Sequence, residues 1–140
     1  MKKILIILNI LIILPLIALA QPEREEHPLD KWLLDCLEGK NSTSDMLECM
    51  NQTYTKWNDE LTHAYKSILP KLESKAKKAL QASQKSWIQY RDIEFKFIET
   101  LYSKEGSVDK ISIVSEKIEV IKQRALMLTE YLNTIDSEYK

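Results

Sequence analysis

An all-α fold is predicted: a small helical bundle of three long helices plus a short N-terminal helix, stapled by one disulfide. Three observations predict it. The 140 residues include only two Gly and four Pro, too few for a sandwich or barrel that must turn every ~8 to 12 residues. Hydrophobic residues make up 44% of the chain and three residues are Trp, which supplies enough apolar material to exclude disorder. Apolar positions recur at spacings of three and four along most of the chain, the period of helices with one buried face. The same composition limits function, because a formal net charge of -1 lacks the basic excess of a dedicated nucleic-acid binder. The length is that of one domain.

The first element is an address. Met1, Lys2 and Lys3 make a basic start, residues 4–20 form an apolar run broken only by Asn9 and Pro15, and Ala18-Leu19-Ala20 has the small-x-small pattern of a cleavage site. A signal peptide over 1–20 is predicted, cut after Ala20, with a periplasmic or secreted destination. The run is 17 residues long and is followed by Gln21-Pro22-Glu23-Arg24-Glu25-Glu26, with no basic stop-transfer cluster. No stable membrane insertion is therefore expected after cleavage. Residues 21–28 read as an exposed tail, 29–135 as the helical domain and 136–140 as a C-terminal tail.

Pro28 to Leu37 reads as a short helix with Leu29, Trp32, Leu33 and Cys36 on one stripe, ended by Gly39-Lys40-Asn41. Ser42 and Asp45 form an S-x-x-D capping box for a second helix. Its stripe runs through Met46, Cys49, Met50, Thr53, Tyr54, Trp57, Leu61, Ala64, Tyr65 and Ile68. In an exported chain, two cysteines 13 positions apart with no further Cys read as a structural disulfide between Cys36 and Cys49 across the Gly39 turn. They are too far apart for a C-x-x-C redox or zinc half-site.

Pro70 predicts a break before a third helix. From Lys71 onward Leu72, Ala76, Ala79, Leu80, Ser83, Trp87, Tyr90, Phe97 and Leu101 keep the helical period, up to a loop at Ser103-Lys104-Glu105-Gly106. Ile88, Phe95 and Tyr102 add a second apolar edge, which predicts that this helix packs on two sides and is the central one. The last helix carries a heptad seam of Ile111, Val114, Ile118, Ile121, Ala125, Leu128, Leu132 and Ile135. An intramolecular seam is expected, in a monomer or weak homodimer.

The sequence holds no nucleophile elbow, zincin helix or P-loop. His63 stands one turn after Asp59, which reads as a surface pair; His27 lies in the tail. No catalysis, cofactor or metal is expected. Charge is uneven, with ten acidic and four basic residues over 21–60, and four acidic against eight basic over 61–102, where Lys71, Lys75, Lys77, Lys78 and Lys85 dominate. The basic part reads as a solvated helix face, with a patch for anionic lipid or glycan as the alternative, and the acidic part could attract a basic partner. Asn41 and Asn51 begin glycosylation sequons, but the Lys- and Ile-rich leader reads as bacterial, where sequons carry no meaning.

The third helix contains Leu80, Gln84, Trp87, Arg91 and Asp92, spaced L-x3-Q-x2-W-x3-R-D. Gln84, Trp87 and Arg91 fall on adjoining turns of nearly one face, and a Gln and an Arg beside a core Trp require partners from another helix. Together with Cys36, the T-x2-M-x2-C run of Thr43, Met46 and Cys49, the W-x3-L-x3-Y run of Trp57, Leu61 and Tyr65, and a closing R-x3-L at Arg124 and Leu128, this pattern resembles the lysozyme inhibitor LprI-like N-terminal domain family. The resemblance spans Leu29 to Leu132. It implies an exported, cysteine-stapled helical protein that binds a protein partner, with a lysozyme as the partner that the family name points to. The family usually has a second cysteine pair, whereas Phe95 stands near the first of those positions and the last helix has no Cys; an apolar contact is expected in its place. The family's W-D and L-N pairs are Trp57-Asn58 and Leu61-Thr62 in this chain.

Three functions follow as expectations. The first is a stoichiometric inhibitor of a cationic muramidase, steered by the acidic first two helices, with Asn41, Ser42 and Asp45 at one helix turn and Glu105, Gly106 and Ser107 at the other as contact tips. The second is a periplasmic immunity protein against a secreted toxin, or an envelope scaffold. An enzyme, the third, would need turnover through Asp59 or His63. The Gln84, Arg91 and Asp92 set reads first as an interhelical polar network that fixes register.

Overall fold

A computed structural model describes residues 26–102 and 107–138. The predicted signal peptide, most of the N-terminal tail, and Glu105 and Gly106 lie outside the described residues. Four helices follow in order: α1 (Pro28–Leu37), α2 (Thr43–Ile68), α3 (Ser74–Leu101) and α4 (Ser107–Glu138), with a short 3-10 turn at Leu69–Lys71 between α2 and α3. No strand occurs among the described residues.

Each boundary has a local cause. Pro28 opens α1, where its missing N–H costs nothing, and the His27 Nδ1 accepts from the Leu29 backbone N–H at 3.2 Å as its N-cap. Gly39 reverses the chain at φ +73, a left-handed torsion that suits glycine. A Cβ there would meet nothing within 4 Å, so the requirement is torsional and not one of space. The Ser42 hydroxyl then accepts from the Asp45 N–H at 3.1 Å, which is the serine half of the capping box.

Pro70 sits in the 3-10 turn, Leu72 is extended, and α3 begins at Ser74, three residues later than Lys71. The extended step lets Leu72 pack against the core before the helix starts.

The chain runs up, down and up. Ion pairs and hydrogen bonds join Glu99 to Lys117 and Gln84 to Arg124, so α3 and α4 are antiparallel. Trp57 lies against Lys122, whereas Ile68 shares a pocket with Tyr131 and Ile135; α2 and α4 are thus parallel neighbours. Their seam is the core: Met50, Trp57, Leu61, Ala64 and Ile68 from α2 meet Ile118, Ile121, Ala125 and Leu128 from α4, all buried. The heptad seam of α4 is used inside the molecule, as expected from its spacing.

The third helix is not the central one. Only Gln84 and Ile98 of α3 are fully buried, and Tyr90, Ile93, Phe97 and Leu101 are exposed along one side. Its apolar residues cover more of the helix circumference than two neighbours can shield. Leu80, Trp87 and Phe95 turn to the core as partly buried residues, and the others remain outside.

A short hairpin attaches α1. No residue of α1 is fully buried, so its position rests on a few named ties. The Cys36–Cys49 disulfide spans a Cα–Cα distance of 5.8 Å, the Asp30 carboxylate accepts from Lys122 Nζ at 2.7 Å, and the His27 ring lies 4.3 Å from that of Trp57. Lys56 also sits over the Trp32 ring.

Candidate functional site

The residues singled out by pattern fall into three groups. The first is the α1–α2 turn, where Asn41, Ser42 and Asp45 are all exposed. Asn41 Nδ2 donates to the Gly39 carbonyl at 3.3 Å, and Ser42 is committed to capping α2. The disulfide closes the helix pair directly behind this turn. At the other candidate tip, Ser107 is the first residue of α4.

The second group surrounds Trp57. This side chain is fully buried, roofed by His27 and by Lys122 Nζ at 5.6 Å from its ring. Its Nε1–H has no hydrogen-bond partner among the described residues. Leu61, one turn on, is buried in the same core. Sequence reasoning placed His27 in the tail and passed over Lys122; a proline-opened helix preceded by a histidine was the available signal for the cap. The Asp30–Lys122 pair crosses from α1 to α4 and has no local signature.

The third group lies between α2, α3 and α4. Gln84 and Arg124 are 7% and 6% exposed. Arg124 donates through Nε at 3.1 Å and Nη2 at 3.0 Å to the Gln84 Oε1, and through Nη2 to Ser83 Oγ at 3.2 Å. Its guanidinium also stands 5.8 Å from the Trp87 ring. No carboxylate pairs with it among the described residues. Burial lowers the Arg124 pKa from its ordinary value, opposed by the charge of Tyr131, and the group stays cationic. The partner that Gln84 required is therefore Arg124.

Arg91 does not join this network. It donates to Asp92 Oδ1 from Nε at 2.9 Å and Nη2 at 2.6 Å and lies over Trp87 and Phe95. Phe95, near the position of the family's missing cysteine, contacts the Tyr54 ring at a centroid distance of 6.3 Å. Lys117 Nζ lies 5.2 Å from its centroid. Tyr65 and Gln84 line a shallow groove between α2 and α3 with Gln81, Lys85, Ile88 and Gln89.

Removing one member of the buried pair has a computable consequence. Gln84→Ala strands two charged N–H donors, and it is expected to lower the unfolding free energy by about 2 kcal/mol. Gln84→Glu offers the guanidinium a carboxylate of nearly the same shape and is expected to recover most of that loss. Urea titration of the three proteins checks both expectations.

His63 and Asp59 are exposed on α2, and no cluster of three or more metal-ligating side chains occurs among the described residues. No described helix is long and apolar enough to cross a membrane.

Comparison with known proteins supplies the remaining context. No curated protein matches the chain. A solved structure of an uncharacterized protein from Burkholderia thailandensis superposes with a TM-score of 0.72 at 22% identity, over 80% of this chain and 57% of that one. This likeness carries the fold alone, and the chain spans little more than half of that protein's length. The model of the family described as lysozyme inhibitor LprI matches residues 36–128, from the first cysteine through Gln84 and Arg124 to the end of the R-x3-L element, so the chain belongs to the lysozyme inhibitor LprI family.

Proposed function

We propose that this protein is exported to the periplasm or beyond the cell, with its leader removed after Ala20, and that it acts without catalysis as a stoichiometric inhibitor of a lysozyme. Family membership over 36–128 carries this reading. The form of the α1–α2 end supports it. Glu38, Asp45 and Glu48 are exposed there, and acidic groups steer encounter with a cationic enzyme. The turn is closed by the disulfide and set by Gly39 and the Ser42 cap, so little conformational freedom is lost when it enters a cleft. Asn41, Ser42 and Asp45 form the proposed contact tip, with Glu105, Gly106 and Ser107 as the second.

Titration of the purified, disulfide-bonded protein into c-type, g-type and i-type lysozymes tests the proposal, reading heat of binding and residual cell-wall lysis together. One-to-one binding with loss of lysis is expected for at least one class. The association rate is expected to fall steeply as salt is raised, and Glu38→Lys with Asp45→Lys is expected to slow it about tenfold at low salt. Absence of a complex with all three classes at low salt would overturn the proposal.

A further inference from the structure

The outer face of α3 carries a second heptad seam, and the fold leaves it open to solvent. Its N-terminal half presents Ala76, Ala79, Ser83 and Ser86, its C-terminal half presents Tyr90, Ile93, Phe97 and Thr100, and the spacing alternates three and four throughout. All eight residues are exposed, Ile93 by 68% and Phe97 by 56%, and exposed Leu101 extends the apolar end. The core is served by a different side of the helix, through Leu80, Trp87 and buried Ile98. Single exposed apolar side chains are ordinary, but a contiguous stripe of large ones marks an interaction surface. The Thr100 hydroxyl is already satisfied by the Lys96 carbonyl at 2.8 Å, so it makes no demand on whatever covers the seam.

The order of sizes along the seam selects its occupant. The smallest residues take the first four positions and larger ones the last four, so two copies of α3 laid antiparallel put one of each in every layer: Ala76 against Thr100, Ala79 against Phe97, Ser83 against Ile93 and Ser86 against Tyr90. Reversal about residue 88 maps the seam onto itself, which is the condition for an isologous two-fold contact. Each bulky side chain then enters the space left by a small one, as facing helices require to interdigitate. Parallel copies in register would stack Phe97 on Phe97 and face Ala79 with Ala79, leaving layers of unequal width. Charge selects the same orientation. Residues 74–87 hold Lys75, Lys77, Lys78 and Lys85 and no acidic residue, whereas residues 88–101 hold Asp92, Glu94 and Glu99 against Arg91 and Lys96. Antiparallel copies oppose the basic half to the acidic one, and parallel copies would oppose like to like. On α4, exposed Met127 adds apolar surface beside the small half, since Arg124 donates to both Met127 Sδ and Ser83 Oγ.

We propose that two copies of this protein associate through antiparallel pairing of their α3 helices along this seam, with the two-fold axis level with residue 88. The seam is about 36 Å long and one helix wide, at the small end of specific interfaces. The dimer is therefore weak, with a dissociation constant of about 10 to 100 μM. This inference is independent of the inhibitor reading.

Sedimentation equilibrium of the disulfide-bonded protein alone, from about 5 to 500 μM, tests the pairing, and a reversible monomer–dimer equilibrium is expected. Phe97→Ala leaves Ala79 of the other copy facing a hole and is expected to weaken association by about tenfold or more. Ala79→Phe is the discriminating variant. It enlarges the exposed apolar surface, yet it sets two Phe side chains in one layer, and it is expected to weaken association by about fivefold or more. Mixing the two variants restores one large and one small residue in both affected layers, so the mixture is expected to associate within about threefold of the parent while neither variant does alone. Both positions are exposed, so the melting temperature of dilute samples is expected to change little. The proposal is overturned if the protein stays monomeric at the top of the range, if Phe97→Ala leaves association intact, or if the mixture associates no better than its components. Stronger association of Ala79→Phe overturns it as well, as the mark of nonspecific apolar contact. A monomer that binds phosphatidylglycerol vesicles through Phe97 would overturn it in favour of a lipid-facing surface. Lysozyme binding is read in a separate assay, so failure of one proposal leaves the other intact.

Discussion

Trp57→Ala is expected to lower the unfolding free energy by about 3 to 5 kcal/mol, the range for deleting a large buried aromatic. The ring is fully buried at the centre of the α2–α4 seam, and it is also the surface on which His27 and Lys122 rest. Its removal leaves a cavity between two parallel helices and takes away the floor beneath α1. Part of this cost is offset, because the indole Nε1–H is buried without a partner among the described residues and such a donor carries a desolvation penalty of about 1 to 3 kcal/mol. Trp57→Phe removes that donor and retains most of the ring, so it is expected to cost only about 1 to 2 kcal/mol. Chemical denaturation of the two variants measures the difference. Equal losses from Ala and Phe would show that the indole N–H, and not the ring volume, is what the core requires.

Cys36→Ala is expected to lower stability by about 2 to 5 kcal/mol relative to the oxidised parent. The bridge spans a sequence separation of 13, and in the chain-entropy model a loop of this size contributes about 3 kcal/mol. The structure adds where the loss will appear. α1 buries no residue fully, so without the bridge it is held by the Asp30–Lys122 pair, the His27–Trp57 contact and half-buried Leu29 and Leu33. Amide exchange in α1 and in the Gly39 turn is therefore expected to accelerate well before exchange in α2 and α4. An unchanged melting temperature, or uniform acceleration across all four helices, would contradict this account. In the inhibitor reading, the same variant is expected to bind its enzyme more weakly, because the contact tip would have to be ordered at the moment of binding.

Both predictions rest on features that differ in how far they are visible along the chain. Helix positions were legible because they depend on neighbours in sequence. Pro28 and Leu37 bound the first helix as the apolar spacing implies, Ser42 caps the second, and the α4 seam from Ile111 to Ile135 needs only its heptad period. Pairing of the cysteines was legible by elimination. The rank of the helices was not, because the broad apolar surface of α3 suggested a central position. In the folded molecule Tyr90, Ile93, Phe97 and Leu101 stay exposed, since the core is formed by the narrower seams of α2 and α4 packed on each other.

The polar pairings separate the two levels most clearly. A glutamine and an arginine beside Trp87 signalled that partners were required, and Arg91 stood only two turns from Gln84. Arg91 turns to its neighbour Asp92, and the partner of Gln84 is Arg124, 40 residues away. Lys122 and Asp30 meet across 92 residues. Helical period, caps, breaks and the disulfide are short-range consequences of residue type, and the amino-acid order is sufficient for them. Which buried groups face one another depends on the rotation and offset of whole helices, and those are set by packing of the complete core.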